Sequence, residues 1–336
     1  MITRAGAPGS SGRRRLRPDE WYPAGDPVAR ARFVTLASGH RVRVVEAGDP
    51  SAPPVLLLHG WACSAYSFRF TLPALAAAGL HATAVDLLGH GQSDKPLAAE
   101  HYSADALTCQ AAHLLDALDL GPVSIVGHSL GGGVALRLAA SHPERVGRVA
   151  VISPANASAI PILRVARWLS PPAVAPLLPR LATRWLFGLV LRSVQGGNHR
   201  RYTARDVDEY WAPTQSPDFV SALRLLVHEY DWSPLAPDTL LTLHQPLLAI
   251  LGDRDRLTPA ADIERWLRDR YGGPVRVHRI AAGHTVQEEA PATVNAALVD
   301  FLAPPGRLER GEARAPGARS AAGGGSGLDE PLDSDS

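Results

Sequence analysis

Six short runs dominated by apolar residues, near 55–58, 82–85, 123–126, 149–152, 247–251 and 275–280, recur along this chain with helix-like stretches between them. No run approaches the ~20 apolar residues of a membrane span. A strand with little polar face to give to water must be buried on both sides, and such strands alternating with helices form a parallel sheet covered on either face. The helical stretches fall near 66–78, 103–118, 132–141, 260–270 and 288–302. Ser103 and Ser141 fit the start and end of their helices, and Gly121-Pro122 breaks the chain before the third run. Ahead of the first run, 33–36 and 41–45 flank Ser38-Gly39 and read as a β-hairpin.

The alternation lapses over 154–244, a stretch of helices separated by proline that follows the sixth strand. Leu178, Leu181, Trp185 and Leu189 recur there at three or four residues, with Arg180, Arg184 and Arg192 beside them. A basic amphipathic stretch can lie on a membrane. Packing of its apolar faces on the body, over a substrate cleft, is the simpler expectation, and membrane association is not expected. On that reading Trp168, Leu169, Trp185, Leu186 and Phe187 face the cleft, with Trp185 and Phe187 in the pocket wall. The substrate then carries a sizeable apolar group.

Hydrophobic content of 46%, 20% charged residues and a net charge of +1 describe a globular chain with no basic field to hold nucleic acid. Cys63 and Cys109 are the only cysteines, too few for a disulfide framework or a metal-ligand spacing. Arg13-Arg14-Arg15 has no apolar segment after it, so a secretory leader is not expected and the cytoplasm is the default compartment. The expected organisation is a core of 28–153 and 245–303 with a helical insertion at 154–244. Residues 1–27 and 304–336, rich in Gly, Pro, Ala, Ser and Arg, are expected to be disordered, with Trp21 and Tyr22 as possible anchors on the body.

Chemistry is suggested by Gly127-His128-Ser129-Leu130-Gly131, set between the strand at 123–126 and the next helix. A serine on a sharp strand-to-helix turn is lifted above the sheet edge, and the helix N-terminus sets free N–H groups beside it. Gly-x-Ser-x-Gly alone is weak, because a glycine-rich chain produces it by chance. Its partners follow in order. Gly252-Asp253-Arg254-Asp255 comes after the strand at 247–251, and Ala282-Gly283-His284 after the strand at 275–280. Acid and histidine thus fall at one edge of one sheet, in the order Ser, Asp, His.

Together with His59-Gly60-Trp61 and Asp86-Leu87-Leu88-Gly89-His90-Gly91-Gln92-Ser93, these motifs make the chain resemble the α/β-hydrolase superfamily over about residues 30–302. The likeness is to its cap-bearing esterase, C–C hydrolase and haloperoxidase-like branch. The resemblance implies an eight-stranded, mostly parallel sheet with a helical cap after strand 6, and no cofactor or metal. It assigns Ser129 as nucleophile, His284 as base and Asp255, in the spacing Gly-x-x-Asp-x-x-x-Pro, as the acid, with Asp253 its rival. It places the oxyanion on the backbone N–H groups of Trp61 and Leu130, and the Trp61 side chain in the pocket wall. His59 and the Asp86 turn are read as scaffold.

The same resemblance sorts the reactions. Epoxide hydrolases and haloalkane dehalogenases of this fold carry Asp where Ser129 stands. Ring-cleavage C–C hydrolases keep the serine but usually follow the base with Trp, where this chain has Thr285. The expectation is a serine hydrolase of carboxylic esters or related acyl compounds, with C–C hydrolase, haloperoxidase or perhydrolase activity as alternatives. A non-catalytic hydrolase-fold binder or pigment-synthesis accessory protein is the alternative of another class.

Overall fold

A computed structural model describes residues 15–197, 200–216 and 218–303. Eight strands form one sheet: β1 Arg30–Thr35, β2 Arg41–Ala47, β3 Pro54–Leu58, β4 His81–Asp86, β5 Val123–His128, β6 Val146–Ile152, β7 Leu247–Gly252 and β8 Val275–Ile280. Their order across the sheet is β1-β2-β4-β3-β5-β6-β7-β8. β1 and β2 pair antiparallel, as a hairpin must, and β2 meets β4 antiparallel; every other pair is parallel. This is the α/β-hydrolase fold expected from the alternation and the motifs.

The core helices are α1 Thr71–Ala77, α2 Ala104–Ala117 and α3 Leu130–Ser141. Between β6 and β7 come α4 Ile162–Leu169, α5 Leu178–Leu181, α6 Arg184–Val194, α7 Ala204–Trp211, α8 Phe219–Glu229 and α9 Pro237–Leu241. The chain returns to the core with α10 Ala260–Arg270, α11 Val286–Glu289 and α12 Pro291–Leu302. Side chains alternate across a strand, and β3 shows why its run is apolar at every position. Leu56 and Leu58 join the layer holding α2, α3 and α10, while Val55 and Leu57 join the layer holding α1 and α12. β4 and β7 are buried along their whole length for the same reason.

The expected disorder of 1–27 does not hold for 15–27. Trp21 and Tyr22 are buried, as anchors on the body, and long-range bonds fix the segment. The Tyr22 amide donates to Glu209 at 3.0 Å, the Arg43 guanidinium donates to the Tyr22 carbonyl, and Gln92 donates to the Pro18 carbonyl at 3.0 Å. Two aromatic rings supply enough buried area to hold a segment whose composition alone would leave it free. Residues 1–14 and the tail 304–336 lie outside the described residues.

Candidate active site

Ser129 stands on the turn between β5 and α3 with φ 50° and ψ −117°, a strained backbone for a residue bearing Cβ. Four hydrogen bonds hold it there. Its N–H donates to the Ile152 carbonyl at 3.0 Å, and its carbonyl accepts from Gly132, Gly133 and Ala155 at 2.9, 3.2 and 2.9 Å. The glycines around it are steric necessities: a Cβ on Gly127 would sit 2.3 Å from the Gly131 carbonyl oxygen, and one on Gly131 2.1 Å from that of Leu58. The β3 turn also comes near, since a Cβ on Gly60 would lie 3.1 Å from the Ser129 Cβ.

The structure brings Ser129, His284 and Asp255 together. His284 Nε2 lies 3.0 Å from Ser129 Oγ, and His284 Nδ1 lies 2.8 Å from Asp255 Oδ2. A carboxylate only accepts, so Nδ1 carries the imidazole proton and Nε2 is free to receive the serine proton. All three side chains are nearly buried. Burial alone would raise the Asp255 pKa, but His284 and the Thr258 hydroxyl and amide outweigh it and bring the group down to about 2. Leu257 and Thr258 amides hold its other oxygen at 2.8 and 3.1 Å. Asp253 is elsewhere, half-exposed and paired with Arg279 at 2.6 Å.

Leu130 opens α3, and the Trp61 amide lies in the loop after β3, next to the close approach at Gly60. Among the described residues neither amide has a protein acceptor. The Trp61 loop is held by His59, whose Nδ1 donates to the Gly60 carbonyl at 2.8 Å and whose Nε2 accepts from the Leu87 amide at 3.0 Å. Asp86 accepts from the Ala65 and Gln92 amides at 2.7 and 2.9 Å, fully buried and away from the triad contacts.

Of the expected pocket side chains, Trp61 reaches the insertion, its indole donating to the Leu223 carbonyl of α8 at 3.1 Å. Phe187 is partly buried against the apolar layer that holds α1 and α12. Trp185 is a correction: it is 70% exposed. α6 buries Gly188 and Leu191, while Trp185 and Leu189 lie about a third of a turn round the helix from them, on the side that faces solvent. Trp168 and Leu169 of α4 are likewise exposed rather than turned to the cleft.

Several site residues were not found by sequence reasoning. His128 packs against His284, with ring centroids 5.1 Å apart, and its Nε2 donates to the His284 carbonyl at 3.1 Å. Burial, then the neighbouring His284, pushes its pKa down to about 3, so it is a neutral support. Glu289 grips the base loop, accepting from the Gly283 amide at 3.0 Å and from the Gly196 amide at 2.8 Å. The His284 amide itself donates to the Val194 carbonyl at the end of α6 at 2.8 Å. Gly196 and Gly283 approach so closely that a Cβ on either would lie 2.3 Å from the other's amide nitrogen. Next to them Arg69 bridges Asp206 of α7 at 2.9 Å and Glu288 at 2.5 Å, and the Tyr202 and Tyr210 hydroxyls also donate to Glu288. The run Gln287-Glu288-Glu289-Ala290-Pro291 was the available signal for these two carboxylates.

A profile of the alpha/beta hydrolase fold matches residues 53–291, from the strand before Trp61 to the helix after His284. The chain belongs to the α/β-hydrolase family. Epoxide hydrolase A of Mycobacterium tuberculosis is 30% identical over 306 residues, covering 79% of this chain and 95% of that protein. The magnesium-chelatase 30 kDa subunit of Rhodobacter capsulatus is 30% identical over 272 residues, covering 77% and 90%. Among solved structures, an epoxide hydrolase from an endophytic Streptomyces superposes with a TM-score of 0.68 at 26% identity, over 82% of this chain and 96% of that one. This α/β-hydrolase is therefore akin to hydrolytic enzymes along its whole core, and the reaction it performs is a question for the residues of its own site.

Proposed function

We propose that this α/β-hydrolase is a serine hydrolase of carboxylic esters or related acyl compounds, working through an acyl-enzyme. The observation that carries the reading is the atom 3.0 Å from the base: a hydroxyl, Ser129 Oγ, and not a carboxylate. A carboxylate that attacks the saturated carbon of an epoxide or a haloalkane becomes an ester, which water can cleave. A serine that did so would become an alkyl ether, which activated water does not cleave, and turnover would stop after one event. At an acyl carbon the serine instead forms an ester, and the cycle closes.

Ser129 Oγ attacks the carbonyl carbon as its proton passes to His284 Nε2. The oxyanion forms against the Trp61 and Leu130 amides, each such donor contributing on the order of 10²–10³ in rate. The leaving group departs with the proton from Nε2, and a water, deprotonated by the same nitrogen, releases the acid and frees Ser129. Asp255 stays ionised throughout and steadies the imidazolium. Hydrolysis of p-nitrophenyl esters of graded acyl length, run beside a ring-cleavage dienoate and a peracid assay, tests the reading. Turnover of the dienoate alone, or of epoxides with Ser129 intact, would overturn it.

One observation favours a second reading, an accessory partner of another enzyme's reaction: the R. capsulatus chelatase subunit matches nearly as much of this chain, at the same identity, as the epoxide hydrolase does. A fluorophosphonate probe separates the two. A working nucleophile labels at Ser129, whereas a triad kept as scaffold does not.

A further inference from the structure

Fourteen large apolar side chains stand well exposed among the described residues, and nine of them fall within 162–190. α4 buries none of its residues, and Ile162, Val165, Trp168 and Leu169 share one arc of it. Trp185 and Leu189 occupy the outer arc of α6. Trp168 is 79% exposed and Trp185 70%. Two indoles left in water within one 18-residue stretch are a cost that a chain with a closed core has no structural reason to bear.

The charge around them is of one sign. Between Glu144 and Asp206 the chain has ten arginines and no acidic residue. Some of these hold the fold: Arg167 donates to the Val227 and Tyr230 carbonyls, Arg184 pairs with Asp208, and Arg200 with Asp206. Arg164, Arg180 and Arg192 are exposed and have no acidic partner among the described residues. Arg164 precedes Trp168 by four residues and Arg192 follows Trp185 by seven, spacings that put cation and indole on the same side of a helix. Among the described residues no single helix is long and apolar enough to cross a membrane.

Short helices with tryptophan and leucine on one arc, edged by unpaired arginine, fit the boundary between headgroups and acyl chains. We propose that the first half of the cap docks this protein on an anionic lipid bilayer, with α4 and α6 lying in the plane of the interface. A second copy of the chain is the poorer occupant, since a two-fold contact through this face would set arginine against arginine. The proposal is independent of the reaction at Ser129.

Flotation of the full chain with vesicles of phosphatidylglycerol and phosphatidylcholine, beside vesicles of phosphatidylcholine alone, tests it. The wild type is expected to float with the anionic vesicles, and to be released by high salt. The double variant Trp168→Ala/Trp185→Ala should lower the partition coefficient at least ~ten-fold on both vesicle types, in line with two lost interfacial indoles. Arg164→Gln, Arg180→Gln and Arg192→Gln should each lower it on the order of five-fold on anionic vesicles only. Melting temperature should not move in any of these, because every altered side chain is exposed. Failure to float, or equal flotation of the tryptophan variant, overturns the proposal. So does a wild-type dimer in sedimentation equilibrium that this variant dissociates.

Discussion

Helices α3 and α4 are both short, both leucine-bearing and both carry arginine, yet α3 buries nine of its twelve residues and α4 buries none. The difference lies in what faces them. α3 grows out of β5 and lies against the sheet, where glycines at 131, 132 and 133 let its backbone come within contact of β3 and the turn after β6. α4 meets α8 on one side, where Arg167 donates to the Val227 carbonyl at 2.7 Å and Leu163 packs on the core, while Ile162, Val165, Trp168 and Leu169 stay exposed. An apolar helix is thus buried by the surface its neighbours offer, and its own composition does not decide the matter.

The sharpest way to break this contrast is at the elbow itself. Ser129→Ala and His284→Ala should each lower kcat by on the order of 10⁴ or more, and the double variant should be barely worse, because the groups act as one unit. Steady-state kinetics on the best ester measures this; additive losses would separate the two residues. Asp255→Asn should cost about 10³–10⁴ in kcat through the wrong imidazole tautomer. Asp253→Asn, which removes only a half-exposed pair with Arg279, should leave kcat near wild type. The reverse ranking would move the acid to Asp253.

Packing gives the next largest effect. Gly131→Ala forces a methyl against the Leu58 carbonyl and should cost about 1–3 kcal/mol or more. Leu169→Ala on α4 should change urea stability by no more than about 0.5 kcal/mol. Equal losses would mean that α4 is packed after all.

Acid should weaken the core before it touches α4. Buried His128, with a native pKa of about 3, stays neutral where the unfolded chain's histidine is protonated. A depressed native pKa lets the unfolded state bind more protons below about 6.5, so stability falls as pH falls through that window, by about 2 kcal/mol at pH 5. His59 and His90, also lowered by burial, act in the same direction. Asp255 adds to the loss only below about pH 4. Urea midpoints at pH 7 and pH 5 measure the slope, and His128→Asn should flatten it.

The smallest effect is expected at Trp185→Ala. With its side chain in solvent, kcat/KM for soluble esters from acetyl to dodecanoyl should change little and uniformly. Phe187→Ala, partly buried, should lower stability measurably. A loss at Trp185 confined to long acyl chains would bring it back to the substrate.

Ser129, Asp255 and His284 were legible because each follows a strand, and a parallel sheet delivers such loops to one edge. The sequence order therefore contained the spatial order. The outward turn of Trp185 was not legible, since a periodic stripe identifies two faces and does not say which one the rest of the chain will cover. Nor were Glu289, Val194 and His128 as supports of His284, because each acts through a backbone group some 90 residues away or more. The order of residues 15–27 escaped for a related reason: it rests on Glu209 and Arg43, which no local pattern connects to Tyr22.

The meeting of Gly196 with Gly283, and of the Val194 carbonyl with the His284 amide, bears on how this family can diversify. An insertion joined to its host only through its two chain ends could be traded between relatives like a cartridge. Here the end of α6 forms part of the seat on which His284 rests. A chimera that imports a foreign segment between β6 and β7 would import a foreign seat with it, and active recombinants should be those whose crossover keeps 194–196 with the His284 loop.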